Sequence, residues 1–164
     1  MVALVDTLDA FDVESAVAAG IDLDRFLWIR GHVVINPGLC RDLNQRALEQ
    51  AVKALTLILQ AGNFGLVVLD VADAACQATG RLPFTTWLRL QRIIENSQTA
   101  CVLVGTEPMA RSSAGLTLKF GSRNSESGMR FHGLLFDGLE VQTRIVRARA
   151  REQEEACVVL GTSA

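Results

Sequence analysis

Residues 64–70 read Phe-Gly-Leu-Val-Val-Leu-Asp, and they decide the fold. Phe64–Leu69 is apolar without alternation, the pattern of a strand covered on both faces, and Asp70 ends it. Just upstream, Leu48, Ala51, Val52, Leu55, Ile58 and Leu59 recur at three and four residues. That spacing predicts a helix over Arg41–Ala61, stopped by Gly62. The same alternation extends both ways. Val2–Val5 reads as a strand ending at Asp6. Asp12 caps a short helix over Val13–Ala19, Gly20 closes it, and Phe26–Ile29 is a second strand. Downstream, Pro83 opens a helix to about Asn96 with Trp87, Leu88, Leu90, Gln91 and Ile94 on one stripe, and Cys101–Val104 is a fourth strand. Beyond Pro108, Ser and Gly punctuate Arg111–Gly128. Arg130–Phe136 and Glu140–Arg149 then read as two strands joined at Asp137-Gly138. The order predicts an α/β domain over residues 1–150, a mostly parallel sheet flanked by helices with a C-terminal antiparallel hairpin at its edge, and a tail over 151–164.

The 164 residues are 49% apolar and 21% charged with a net charge of −2, which excludes a disordered chain. Apolar runs such as Phe64–Leu69 are far shorter than the roughly 18 residues of a membrane helix, so no membrane partner is expected. Met1–Asp6 has no basic region, unlike a secretory signal. Cys40, Cys76, Cys101 and Cys157 stand far apart, which suits buried thiols in a reducing compartment. A cytoplasmic location follows from these readings.

Asp6 and Asp70 each follow an apolar run, at the carboxyl ends of parallel strands where ligands of such sheets gather. Leu66–Asp70 has the form of a Walker B strand, whose acid holds magnesium; the alternative is that Asp70 caps the next turn. The phosphate cradle of that enzyme class is absent from the sequence. Of the two lysines, Lys53 lies in a helix and Lys119 in Leu-Lys-Phe, and neither follows a glycine as a P-loop requires. His32 and His132 have no Cys or acid at ligand spacing, and no Gly-x-Ser-x-Gly elbow occurs. Charge placement is more telling. Between Met109 and Arg151, eight bases (Arg111, Lys119, Arg123, Arg130, Arg144, Arg147, Arg149 and Arg151) stand against three acids (Glu126, Asp137 and Glu140). Arginine dominates, which suits phosphate or carboxylate recognition; the alternative is a solvated strand face partly offset by Glu152, Glu154 and Glu155.

Together these residues resemble the RecA recombinase family. The resemblance rests on Val5-Asp6-Thr-Leu8-Asp9-Ala-Phe-Asp12, on Gly20-Ile-Asp22-Leu-Asp24, on Gln45-Arg-Ala-Leu48-Glu-Gln and on the Phe64–Asp70 strand. It continues in Gly115-Leu-Thr-Leu-Lys119-Phe120, similar to the family's second DNA-facing loop and the strand after it, and in Thr143-Arg-Ile-Val-Arg147. Leu82-Pro83-Phe-Thr-Thr-Trp87-Leu-Arg89-Leu-Gln91-Arg92 looks closer to the shorter, degenerate ImuA-like relatives that act beside error-prone polymerases. The resemblance spans about residues 1–150 and implies a RecA-like core whose strand–P-loop–helix unit is missing before Met1.

It also implies what has been lost. Leu8 stands where the recombinase keeps its catalytic glutamate, with Asp9 one residue off the required direction. Thr106 falls at the γ-phosphate-sensing glutamine, and the Asp70-to-Pro83 connection is too short for the full first DNA-facing loop. Asp70 and Thr106 are thus the remaining nucleotide-site positions, with Asp70 the one metal position; no catalytic residue is expected. The resemblance implies a non-catalytic protein of DNA repair and damage-induced (SOS) mutagenesis, with no cofactor unless an upstream P-loop supplies ATP and magnesium binding. DNA backbone contacts are expected at Arg111, Lys119, Arg144, Arg147, Arg149 and Arg151. A translesion polymerase or RecA-type partner is implied, and self-association follows from the sheet left open by the missing unit. The alternative is the carboxyl part of a RecA-type DNA-dependent ATPase; a small-molecule α/β enzyme is a third reading, without a catalytic set to support it.

Overall fold

The computed structural model describes residues 1–31, 41–71, 82–110, 114–121, 129–132, 135–148 and 155–161. The chain forms two compact units, Met1–Ser113 and Ala114–Ala164. The sequence reading instead places one domain to residue 150 and a tail beyond it.

In the first unit, strands β1 (Val2–Asp6), β2 (Phe26–Arg30), β3 (Leu66–Asp70) and β4 (Ala100–Val104) form a parallel sheet of order β2-β1-β3-β4. The helices are α1 (Val13–Ala18), α2 (Arg41–Ala61) and α3 (Phe84–Glu95). Asp12 caps α1 by accepting from the Glu14 N–H, as the sequence predicts. Gly62 follows α2 at φ +72°, the left-handed position that glycine adopts without a Cβ penalty. The helix stripe is realised too. Leu48, Leu55 and Leu59 of α2 are at most 2% exposed, and α2 packs on β1, β3 and α3, with Trp87 and Leu90 of α3 also buried.

One sheet face carries the core. Ala3, Val5, Val67 and Leu69 lie in alternate register rows, which share a face, and are buried almost completely. The opposite face departs from expectation. Leu4, Leu66 and Val68 are only half-buried, and Val102 and Val104 are 43% and 39% exposed. Near β2 that face is closed by Phe11, whose ring stacks on Phe26 at 5.0 Å and meets Trp28 edge-on at 5.4 Å. The unalternating run at residues 64–69 therefore belongs to a strand buried on one face and half-covered on the other.

The second unit is an antiparallel sheet built on the long strand β7 (Leu135–Ala148). Strands β5 (Leu116–Gly121) and β6 (Met129–His132) pair with successive parts of β7, and β8 (Glu155–Gly161) pairs with β7 over Gly138–Arg144. Three expectations change here. The antiparallel strands form a sheet of their own instead of an edge of the parallel one. Gly138 lies inside β7 opposite Arg130, so the expected turn at Asp137-Gly138 is continuous strand. Part of the expected tail is β8, whose apolar Ala156–Leu160 pairs along β7.

Candidate functional site

At the carboxyl end of the parallel sheet one register row runs Arg30, Asp6, Asp70, Val104 across four strands. Both sequence-flagged carboxylates therefore sit side by side. Their environments differ. Asp6 is 2% exposed, and its carboxylate accepts from three donors: the Leu8 N–H at 3.2 Å, the Phe11 N–H at 2.8 Å and Trp28 Nε1 at 3.2 Å. Those bonds fold the 7–11 segment back over the strand end and hold Phe11 on Phe26 and Trp28. Asp6 is an organiser of this loop, with little capacity left for a ligand.

Asp70 is half-buried, and its backbone carbonyl accepts from Thr7 twice, from Oγ1 at 2.7 Å and from the N–H at 3.1 Å. Thr7 itself is fully buried. Thr106 follows Gly105 just past β4 and is exposed. Magnesium needs near-octahedral oxygen coordination, usually one or two carboxylates plus water and substrate phosphates. Among the described residues no group of three His, Cys, Asp or Glu comes together, and the Asp6 oxygens are occupied by N–H donors. These residues do not fit a self-sufficient metal centre.

Asp9 sits at φ +59°, left-handed for a residue with a side chain. Its two carboxylate oxygens receive Arg30 Nε and Nη2, each at 2.6 Å, and the Arg30 guanidinium lies 4.6 Å from the centre of the Trp28 ring. The Asp9 hydrogen bonds and charge hold the Arg30 pKa above its ordinary value. The only acid beside Leu8 in sequence is thus engaged with an arginine. Sequence reading singles out Asp9 but misses its partner Arg30, 21 residues away. The signal lies in the parallel pairing of Val2–Asp6 with Phe26–Arg30, which brings Arg30 to the same strand ends.

The described basic candidates, Lys119, Arg144 and Arg147, fall in the second unit. Lys119 of β5 stands directly opposite Arg144 of β7, and Thr117 stands opposite Arg147. Arg144 and Arg147 are three residues apart, which in a regular strand puts them on opposite faces. The register shifts between Thr117 and Leu118, so one residue of β7 is inserted there. Because Thr117 and Lys119 share a face of β5, the bulge returns Arg147 to the face of Arg144 and Lys119. All three bases are exposed. On the other side of β7, Glu155 stands opposite Arg144 in register. Arg111, Arg149 and Arg151 lie outside the described residues. The facing surface of β5 is apolar, with Leu116, Leu118 and Phe120 at 54%, 40% and 62% exposure. The chain matches no protein-family model and no curated protein.

Proposed function

We propose that this chain is a non-catalytic RecA-like protein of DNA repair or damage-induced mutagenesis, acting through DNA-backbone and protein contacts. The observation that carries this reading is the bulged β5–β7 pair, which gathers Lys119, Arg144 and Arg147 on one exposed face. Arginine forks match phosphate oxygens bidentately, and such contacts supply affinity without reading bases. Support for the lack of turnover comes from the first unit. Asp6 is occupied by the loop it organises, Asp9 by Arg30, and Leu8 offers no carboxylate to orient water. A four-stranded parallel sheet with a carboxylate at the end of β3 is compatible with a RecA-like core.

The partner part of the reading rests on the half-covered sheet face. Parallel sheets occur almost only with both faces covered. Leu66, Val68, Val102 and Val104 leave an apolar surface that another layer would close, whether a second copy or a polymerase or RecA-type partner. A specific, stable contact there buries on the order of 1,200 Å² or more in total. The test combines two assays on the same preparation. Anisotropy of a labelled duplex is expected to rise with protein at low salt, while phosphate release from ATP stays at background with DNA present. A steady release rate abolished by Asp70→Ala, or no DNA binding at low salt, would overturn the proposal.

A further inference from the structure

A groove of about 380 Å³ lies between α2 and α3. Its volume is at the small end of the range for binding sites. Val52 and Leu82 form a buried apolar floor. On the α2 wall Glu49, Lys53 and Leu57 follow one another at four-residue spacing, so they share a stripe, and Leu57 is 59% exposed. Arg89 stands on the α3 wall, exposed like Lys53. Among the described residues neither Lys53 nor Arg89 makes a hydrogen bond or ion pair, whereas Glu49 accepts from Gln45 Nε2 at 3.0 Å. Among the described residues the groove therefore offers an apolar floor, one large exposed apolar side chain, and two cations without a partner, Lys53 on one wall and Arg89 on the other, against the one acid Glu49.

We infer that this groove docks an acidic amphipathic helix of a partner protein, with a leucine-type side chain on the Val52–Leu82 floor and carboxylates on Lys53 and Arg89. Helices dock in grooves through apolar anchors at three- and four-residue spacing, and rim charges select the partner. Two cations around an apolar floor match such a helix better than a nucleic-acid backbone, which needs a longer basic track and no apolar floor. The inference is independent of the DNA-contact reading, because every groove residue belongs to Met1–Ser113.

The probe is a fluorescein-labelled helical peptide of Glu, Ala and Leu with leucines at i, i+4 and i+7, and its partner probe has every Glu replaced by Lys. The acidic peptide is expected to bind saturably to the full chain and to shift the backbone amide resonances of Thr56 and Thr86. Exposed ion pairs are worth roughly two- to fivefold each, so Lys53→Glu with Arg89→Glu should weaken it about tenfold or more. The same double variant should gain affinity for the lysine peptide, a swap that a misfolded variant would not produce. Leu57→Ser should weaken the acidic peptide while leaving the charge preference intact. Absence of binding at about 1 mM peptide, the weakest range of specific recognition, would overturn the inference. Equal binding to the charge-reversed variant, or displacement of the peptide by an oligothymidine, would do so as well.

Discussion

The Asp6→Asn substitution changes one atom type and should destabilise the first unit substantially. The carboxylate receives three N–H donors and is 2% exposed, with Phe11 N–H the closest at 2.8 Å. Hydrogen bonds to a charged acceptor contribute about 1.5–3 kcal/mol each, and leaving a buried donor unmade costs about 1–3 kcal/mol. A side-chain amide presents one oxygen and one NH₂, so either of its orientations turns N–H against N–H on one side. Oδ2 takes both Phe11 and Trp28, so aiming the NH₂ there loses two bonds, and aiming it at Leu8 loses one. The cheaper orientation still loses the charge assistance of the other two. The three bonds share one carboxylate and do not add independently, so the expected cost is about 2–3 kcal/mol. Asp6→Ala removes all three acceptors and should cost about 3–4 kcal/mol. Urea titration read by tryptophan fluorescence is the assay, since Trp28 and Trp87 both lie in Met1–Ser113 and report that unit alone. A change below about 0.5 kcal/mol, the ordinary scatter of surface substitutions, would refute the assignment of Asp6 as the loop's organiser.

Other expectations follow from single positions. Gly31→Ala would place a Cβ 2.6 Å from the Thr7 carbonyl oxygen and 2.7 Å from its Cα, both backbone atoms; a loss of about 1–3 kcal/mol in the same urea titration is expected. Asp9→Gly should unfold at higher urea than Asp9→Ala by about 1 kcal/mol, because both lose Arg30 but only glycine accepts φ +59° freely. Burial pushes the Cys101 thiol up to about 11. In a variant retaining Cys101 as its one cysteine, disulfide-exchange labelling at pH 8 should therefore be slow when folded and fast in urea. The sign for stability is fixed as well: between the unfolded thiol's pKa near 8.5 and about 11 the folded state holds the proton longer, so the unit loses stability as pH rises through that window. Sedimentation at micromolar concentration should show more than a monomer, and a clean monomer with little dye-accessible apolar surface would remove the case for a partner on the half-covered sheet face.

Local chemistry was legible where it stands alone. The three-and-four spacing of Leu48–Leu59 with Gly62 behind it, and Pro83 before Trp87 and Leu90, mark α2 and α3 because burial of one stripe and its stop signals are adjacent in sequence. Pairings between distant segments were less so. Asp137-Gly138 has turn chemistry, yet β7 runs through it because β6 and β8 pair on either side. Ala156-Cys-Val-Val-Leu160 carries a strand signal of its own, although it falls in the expected tail. At the site, the position of Asp70 was readable from the apolar run that ends there. The fates of Asp6 and Asp9 were not, since they are decided by Phe11, Trp28 and Arg30 arriving through the fold. Nor does any residue type announce the β5–β7 bulge; Arg144 and Arg147 alone suggest opposite faces.

The salt dependence of DNA binding tests the proposed phosphate contacts most directly. Each such contact to duplex DNA contributes about 0.9 to the log–log slope of affinity against salt. Affinity for a labelled duplex should be measured by anisotropy from low to physiological salt, for the unaltered chain and for Lys119→Ala, Arg144→Ala, Arg147→Ala combined. A steep slope is expected for the first and a slope shallower by up to about 2.7 for the second, the loss of three contacts. Equal slopes in the two proteins, or binding indifferent to salt, would contradict the assignment of the bulged β5–β7 face as the DNA contact.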